Sequence, residues 1–206
     1  MDGNEPMTSR GRRTRARIVD AAADLVFERG AAGSSLDDVR AATGTSKSQL
    51  FHYFPGGKRE LLAAVVACQT ERVFDAQRPA LDKLDSWAAL RRWRNGVIAL
   101  QRQLHCAGGC PIGSMADELA EHDPHLRSLL AESFATWQSY IERGLAAMRD
   151  RGELRRDADP ATLALATMAA LQGGLLLTKT TRTTRPIEVA LDAALAHVRS
   201  FAASSR

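Results

Sequence analysis

Apolar residues recur every three or four positions over most of the chain, the spacing that gathers them on one face of an α-helix. From residue 14 to 29 they fall at Ile18, Ala21, Ala22, Leu25 and Val26, and Gly30 stands where a helix commonly ends on a left-handed residue. Ser35-Leu36-Asp37-Asp38 has the Ser-x-x-acid form of a capping box and opens a short helix that ends at Gly44. Ser46-Lys47-Ser48-Gln49 repeats the signal almost at once, and Leu50, Phe51 and Phe54 follow, with both Phe residues expected in the core. Pro55-Gly56-Gly57 stops this third short helix. Longer helices are predicted over about residues 58–76, 86–105, 124–151, 160–178 and 186–198, with a shorter one over 114–121. Asp123-Pro124 and Asp159-Pro160 each supply an N-cap with Pro behind it.

Composition strengthens this all-α reading of about nine helices. The 206 residues include 35 Ala and 24 Leu against 9 Val and 5 Ile, and aromatics are only 5%. Ala and Leu favour helices, whereas β-branched and aromatic residues favour strands. Net charge is a modest +4, but Arg10, Arg12, Arg13, Arg15 and Arg17 precede the first acid after them, Asp20. Such a cluster attracts phosphate or an anionic surface, or is a solvated arm. Three cysteines, Cys68, Cys106 and Cys110, do not make a secreted disulfide framework. The N-terminus lacks the apolar stretch of a signal peptide, and the apolar run from 161 to 177 reads as a buried helix at the short limit for a membrane span. A soluble, cytoplasmic protein with no membrane partner is expected.

Two short helices around Thr43-Gly44-Thr45 have the form of a helix-turn-helix. Such a motif projects small polar side chains from the start of its second helix into the DNA major groove. Thr45, Ser46, Lys47, Ser48 and Gln49 crowd that position, while Gln49 can instead cap the backbone of Ser46. Arg12 and Arg13 could reach along the DNA backbone or into a minor groove. The ordered blocks Thr14-Arg15-Ala16-Arg17-Ile18-Val19-Asp20-Ala21-Ala22, Phe27-Glu28-Arg29-Gly30, Ser35-Leu36-Asp37-Asp38-Val39 and residues 42–54 resemble the N-terminal domain of TetR-family transcriptional repressors. The resemblance covers residues 12–62. It implies a three-helix DNA-binding unit, a connecting fourth helix and a helical domain for effector binding and dimerisation. It makes Lys47, Ser48 and Gln49 groove contacts, and Tyr53 and Lys58 phosphate contacts, with Pro55-Gly56-Gly57 placing Lys58 one position later than the family's usual lysine. The segment 109–119 resembles an LmrA/YxaF-like subgroup.

The expected organisation is therefore a flexible basic arm (1–11), a helix-turn-helix domain (12–57) and an effector-binding and dimerisation domain (58–206). Trp87, Trp93, Leu100, Leu104, Met115, Phe134, Trp137, Tyr140, Met168 and Gln172 are candidate linings for a small, largely apolar effector, though such stripes also suit plain core. Leu175, Leu176, Ile187, Leu191, Ala194, Leu195 and Val198 are candidates for a four-helix homodimer interface, with an intrachain core as the alternative. Cys106 and Cys110, on a turn expected to be exposed, could form a redox switch. With His122 and His125 they come near a zinc-finger spacing, but a helical reading of 114–121 opposes a finger, and neither a metal nor a cofactor is expected. No HExxH, phosphate loop or ordered Ser/His/Asp set argues for an enzyme. The remaining class is a sequence-nonspecific architectural DNA binder. The function expected is a ligand-responsive repressor on a pseudo-palindromic double-stranded operator.

Overall fold

The computed structural model describes residues 8–203. Residues 1–7 of the expected arm lie outside it. Nine helices run through the described residues: α1 Ser9–Arg29, α2 Leu36–Thr43, α3 Lys47–Tyr53, α4 Gly57–Asp75, α5 Trp87–Gln103, α6 Pro111–Leu119, α7 Pro124–Asp150, α8 Pro160–Thr181 and α9 Arg185–Arg199. Among the described residues no strand forms, and the one β pairing is the bridge between Leu154 and Ala202.

Local chemistry sets most of these ends. Thr8 Oγ1 accepts from Gly11 N at 3.1 Å, so α1 starts well before the first apolar position and carries Arg10, Arg12 and Arg13 on helix rather than on a lead-in. Pro111 opens α6 three residues ahead of the expected start, a position where its missing N–H costs nothing. Asp159 caps α8 ahead of Pro160, and α8 ends on Arg182 in the left-handed region at φ 56°.

The chain forms two compact units. The first comprises residues up to Gln69 together with Met115–Leu130, and the second Thr70–Ser114 with the rest from Ala131. The division falls inside α4, α6 and α7, so each of these helices begins in one unit and ends in the other. In the first unit Ile18, Ala22, Val26, Val39, Leu50, Phe54, Leu61 and Val65 are buried. Phe51 is not: it is 40% exposed, because α3 turns only its Leu50 face inward, and the expectation of a core role fails. The later helices close this unit from behind. Glu118 of α6 accepts from Ala32 N at 3.0 Å in the α1–α2 turn, where a Cβ on Gly30 would lie 2.6 Å from Glu118 Oε1. Arg59 of α4 holds Asp123 through Nε–Oδ2 at 2.6 Å and Nη2–Oδ1 at 3.1 Å.

In the second unit α8 and α9 pair closely at Gly174, where a Cβ would stand 2.7 Å from Ile187 Cδ1. Arg94 and Arg102 of α5 pair with Asp192 at 2.7 Å and Glu188 at 2.8 Å on α9. The expected dimer stripe meets a different fate here. Leu175, Ile187, Leu191, Ala194 and Val198 are buried within the single chain, because the face of α9 that bears most of them packs on its own α8; Leu195 is half-buried. Each such aliphatic side chain contributes about 1.5–3 kcal/mol by leaving water. Leu176 alone of that set is well exposed, and it is joined by Leu165 and Leu177 on α8 and Val189 on α9. The helix α8 is long and apolar enough to span a membrane by length and composition, but 44% of its most apolar stretch is buried within the protein.

Candidate nucleic-acid interface and helical core

The α2–α3 corner is held by its own side chains. Ser35 Oγ accepts from Asp38 N at 3.1 Å, and Asp38 Oδ2 accepts from Ser35 N at 2.8 Å. The Ser35 hydroxyl, which donates to Asp38 Oδ2, and after it the Ser35 N–H hold the Asp38 carboxyl below the usual carboxylate range, with the charges of Arg29 and Lys58 as weaker contributions. Gly44 then reverses the chain at φ 62°, in the left-handed region that glycine enters without a Cβ penalty. Ser46 and Gln49 close the second box: Ser46 Oγ accepts from Gln49 N and Gln49 Oε1 accepts from Ser46 N, both at 3.1 Å. Thr45 is buried and shares a 2.7 Å hydrogen bond with the Thr43 hydroxyl, so it braces the turn and is turned away from a groove. That leaves Ser46, Lys47, Ser48 and Gln49 exposed along the first turn of α3. With Oε1 committed to the cap, the NH2 is the part of the Gln49 side chain that the cap does not use.

The basic cluster divides by position. Arg15 stacks over the Phe54 ring at 4.9 Å, and Arg17 donates to Thr43 O at 2.8 Å, so both serve the packing of the unit itself. Arg12 and Arg13 are exposed on α1. Tyr53, at the end of α3, is half-buried with its ring edge-on to His52 at 5.0 Å. Lys58 is half-buried in the first full turn of α4, near Asp38. Gly57 carries the extra residue of the turn at φ 65°, with its Cα face against Phe51. The pairings of Arg59 with Asp123 and of Glu118 with Ala32 N were not legible in the sequence, because only folding brings residues 64 and 86 positions apart into contact.

The candidate effector residues scatter more. Trp93 is fully buried and its Nε1 donates to Gln77 Oε1 at 2.8 Å. Trp137 and Met168 are buried, and Phe134, Tyr140, Gln172, Leu100 and Trp87 are half-buried. Trp137 stands edge-on to Phe74 at 6.1 Å, Arg78 donates to the Tyr140 hydroxyl at 3.2 Å, and Arg199 covers Trp87 at 5.3 Å. Leu104 is exposed at the end of α5, and Met115 is buried in the first unit rather than the second. Gln101, which sequence reasoning passed over, is buried on the inner face of α5, four residues beyond Val97 in the stripe Leu90, Trp93, Val97. A polar residue in phase with an apolar stripe was the signal for it.

The turn bearing Cys106 and Cys110 is not exposed as expected. Both thiols are free and buried, and burial pushes the Cys110 thiol up from its ordinary pKa. A buried thiol kept protonated is a poor nucleophile, which removes the basis for a redox switch. Among the described residues no three His, Cys, Asp or Glu side chains converge as metal ligands.

The architecture and its surfaces can now be set beside known proteins. Residues 18–65 match the family described as bacterial regulatory proteins, tetR family, and residues 86–194 match the tetracyclin repressor-like C-terminal domain. A transcriptional regulator from the lacX 3′ region of Lactococcus lactis is 30% identical, over 88% of this chain and 91% of its own. The chain belongs to the tetR family. Among further tetR-type relatives, the regulator LmrA of Bacillus subtilis is 28% identical, over 84% of this chain and 90% of its own. The repressor DhaR of a Mycobacterium is also 28% identical, over 84% and 86%. A TetR regulator from Chloroflexus aurantiacus superposes with a TM-score of 0.76 at 25% identity, covering 96% of this chain and all of that one. The tetR assignment accounts for the α1–α3 unit followed by a helical C-terminal domain, and makes the protein a helix-turn-helix transcriptional regulator.

Proposed function

We propose that the protein is a cytoplasmic, homodimeric repressor that leaves a pseudo-palindromic operator when a small, largely apolar effector binds the helical domain. The observation that carries this reading is the doubly capped α2–α3 corner, which fixes α3 while leaving Lys47, Ser48 and Gln49 exposed. In this reading Ser48 and Gln49 meet base edges, while Lys47, Tyr53, Lys58, Arg12 and Arg13 meet phosphates. Two copies would place their α3 helices in successive major grooves about 34 Å apart. The partner chain would cover Leu165, Leu176 and Leu177 of α8 and Val189 of α9, large apolar side chains that a lone chain leaves in water. Helices α4, α6 and α7, each shared covalently by both units, would carry the coupling between effector and operator, for which about 1–3 kcal/mol is the usual scale. An architectural, nonspecific DNA binder has no need of a reading corner capped twice.

The test is fluorescence anisotropy on a duplex from upstream of the protein's own gene, with scrambled duplex beside it at two salt concentrations. Sequence-selective binding is expected. Lys47→Ala should weaken it on every sequence and lower the slope of log affinity against log salt by about one. Tyr53→Ala should weaken it too. Steep salt dependence with no preference among sequences would instead make the protein an architectural binder, and no binding at low salt would defeat the reading.

A further inference from the structure

Two buried side-chain atoms of the second unit make no hydrogen bond, Gln101 Oε1 on α5 and Trp137 Nε1 on α7, whereas the Gln172 amide on α8 is turned to the Cys110 thiol. Gln101 is 3% exposed and Trp137 2%, so bulk water does not serve them. Buried polar groups are nearly always paired, and an unpaired one marks a place where a partner from outside belongs. The other buried polar groups of the same unit show the contrast: Trp93 Nε1 is held by Gln77, Thr167 by Leu163 O, and Thr70 by Ser133.

The helices set Gln101 and Gln172 at one level. Arg102, beside Gln101, pairs with Glu188 on α9, and Ile187 of α9 lies against Gly174, two residues beyond Gln172. The α5–α6 loop spans the same level, since Cys106 N donates to Gln101 O at 2.8 Å and a Cβ on Gly113 would lie 3.0 Å from Gln172 Oε1. Gly113 therefore gives the Gln172 amide its room. The same helices bury apolar groups: Val97 and Ile98 on α5, Ile112 on α6, and Met168, Leu171 and Leu175 on α8. Among the described residues no Asp, Glu, Lys, Arg or His is buried, so a ligand charge entering this core would meet no counter-charge.

We infer that the effector is an uncharged, mainly apolar molecule carrying both a hydrogen-bond acceptor and a donor. Trp137 Nε1 donates to its acceptor, and Gln101 Oε1 accepts from its donor. Trp N–H is donor only, whereas an amide supplies both functions, so the set discriminates by the pattern of donors and acceptors as well as by shape. This assignment rests on the effector-responsive reading above and narrows it to a class of ligand.

The test uses the full-length protein and two matched skeletons, of one ring and two rings. The hydroxyketones are 4-hydroxyacetophenone and 6-acetyl-2-naphthol, and each is compared with its hydrocarbon, carboxylate and trimethylammonium counterparts. Binding is read by quenching of tryptophan fluorescence and by the indole N–H signal of Trp137. A hydroxyketone should bind about tenfold more tightly than its counterparts, the effect of one well-made hydrogen bond, and should shift the Trp137 signal. Trp137→Phe and Gln101→Leu should each weaken it about tenfold, while the ligand-free variants melt no lower than the parent because an unpaired polar atom has gone. Equal or tighter binding of a charged counterpart would overturn the assignment. So would variants that bind like the parent, the result expected if water alone fills these positions, or a Trp137 signal that no probe moves. Operator release separates the two readings: release by a charged probe, unaffected by the two substitutions, defeats this assignment and spares the regulator. Hydroxyketone binding without release defeats ligand control of the operator and spares the assignment.

Discussion

The two units treat their polar groups in opposite ways. Around α2 and α3 nearly every one is used on the unit's own backbone: two capping boxes, Arg17 on Thr43 O, Gln69 on Ala23 O and Glu118 on Ala32 N. The exception is Arg40 Nε, on a guanidinium otherwise paired with Asp37. The second unit leaves Gln101 Oε1 and Trp137 Nε1 buried and unpaired and a row of leucines in water. A surface that reads DNA benefits from being fixed before it meets its partner, because ordering on contact weakens binding. In the function proposed above the second unit answers to a ligand and to a second copy of itself, and such a domain has to hold interactions open for them.

The sharpest way to break the contrast is to remove the fixed side of it. Phe54 is fully buried beneath Arg15, and Phe54→Ala should cost about 3–5 kcal/mol. All three tryptophans belong to the second unit, so far-UV circular dichroism should lose helix while tryptophan fluorescence holds, and operator binding should vanish. A coincident loss of both signals would mean that the units do not melt separately. On the open side, Leu176→Glu with Leu177→Glu should leave the fold intact and give a monomer by sedimentation at micromolar concentration, with operator affinity reduced by about a hundredfold or more, since a lone reader loses its tethered twin. Dimers that persist would place the interface elsewhere.

Smaller effects sharpen the account. Ser46→Ala removes the hydroxyl that caps α3 and should cost about 1 kcal/mol, read by thermal melting, while freeing Gln49 from its reciprocal bond. Sequence preference should then shift, because a released Gln49 can offer both donor and acceptor to a base. The smallest effect is pH-dependent. Arg59, with the N–H groups of Leu126 and His125, draws the Asp123 carboxyl down to about 2 from 3.8. A depressed folded-state value adds stability above the unfolded one and loses it in acid. The difference in melting temperature between the parent and Arg59→Ala should therefore be complete above about pH 5 and fade as pH falls toward 2. A constant difference would show that Arg59 acts through packing alone.

Much of the fold was legible along the chain because helix ends are local events. Ser35, Gly44, Ser46, Ser86 and Asp159 announce their elements in the residues beside them, and the structure uses each accordingly. Facing is not local. The apolar stripe of α9 is plain in the sequence, yet whether Ile187 and Leu191 meet their own α8 or a partner's depends on Gly174, thirteen residues before Ile187. Phe51 and the two buried thiols mislead for the same reason, since apolarity and a Gly-rich turn say nothing of which side the rest of the chain covers. Gln101 was written into its stripe as a misfit, and its meaning emerged only once its oxygen was seen to have no partner.

The most direct test of the central claim is hydroxyl-radical footprinting of the wild-type protein on the DNA upstream of its own gene. Two protected patches in a pseudo-palindrome, centred about 34 Å or one helical turn apart and lost together in Leu176→Glu with Leu177→Glu, are the predicted result. A single patch, or protection spread without phase along the duplex, would contradict it.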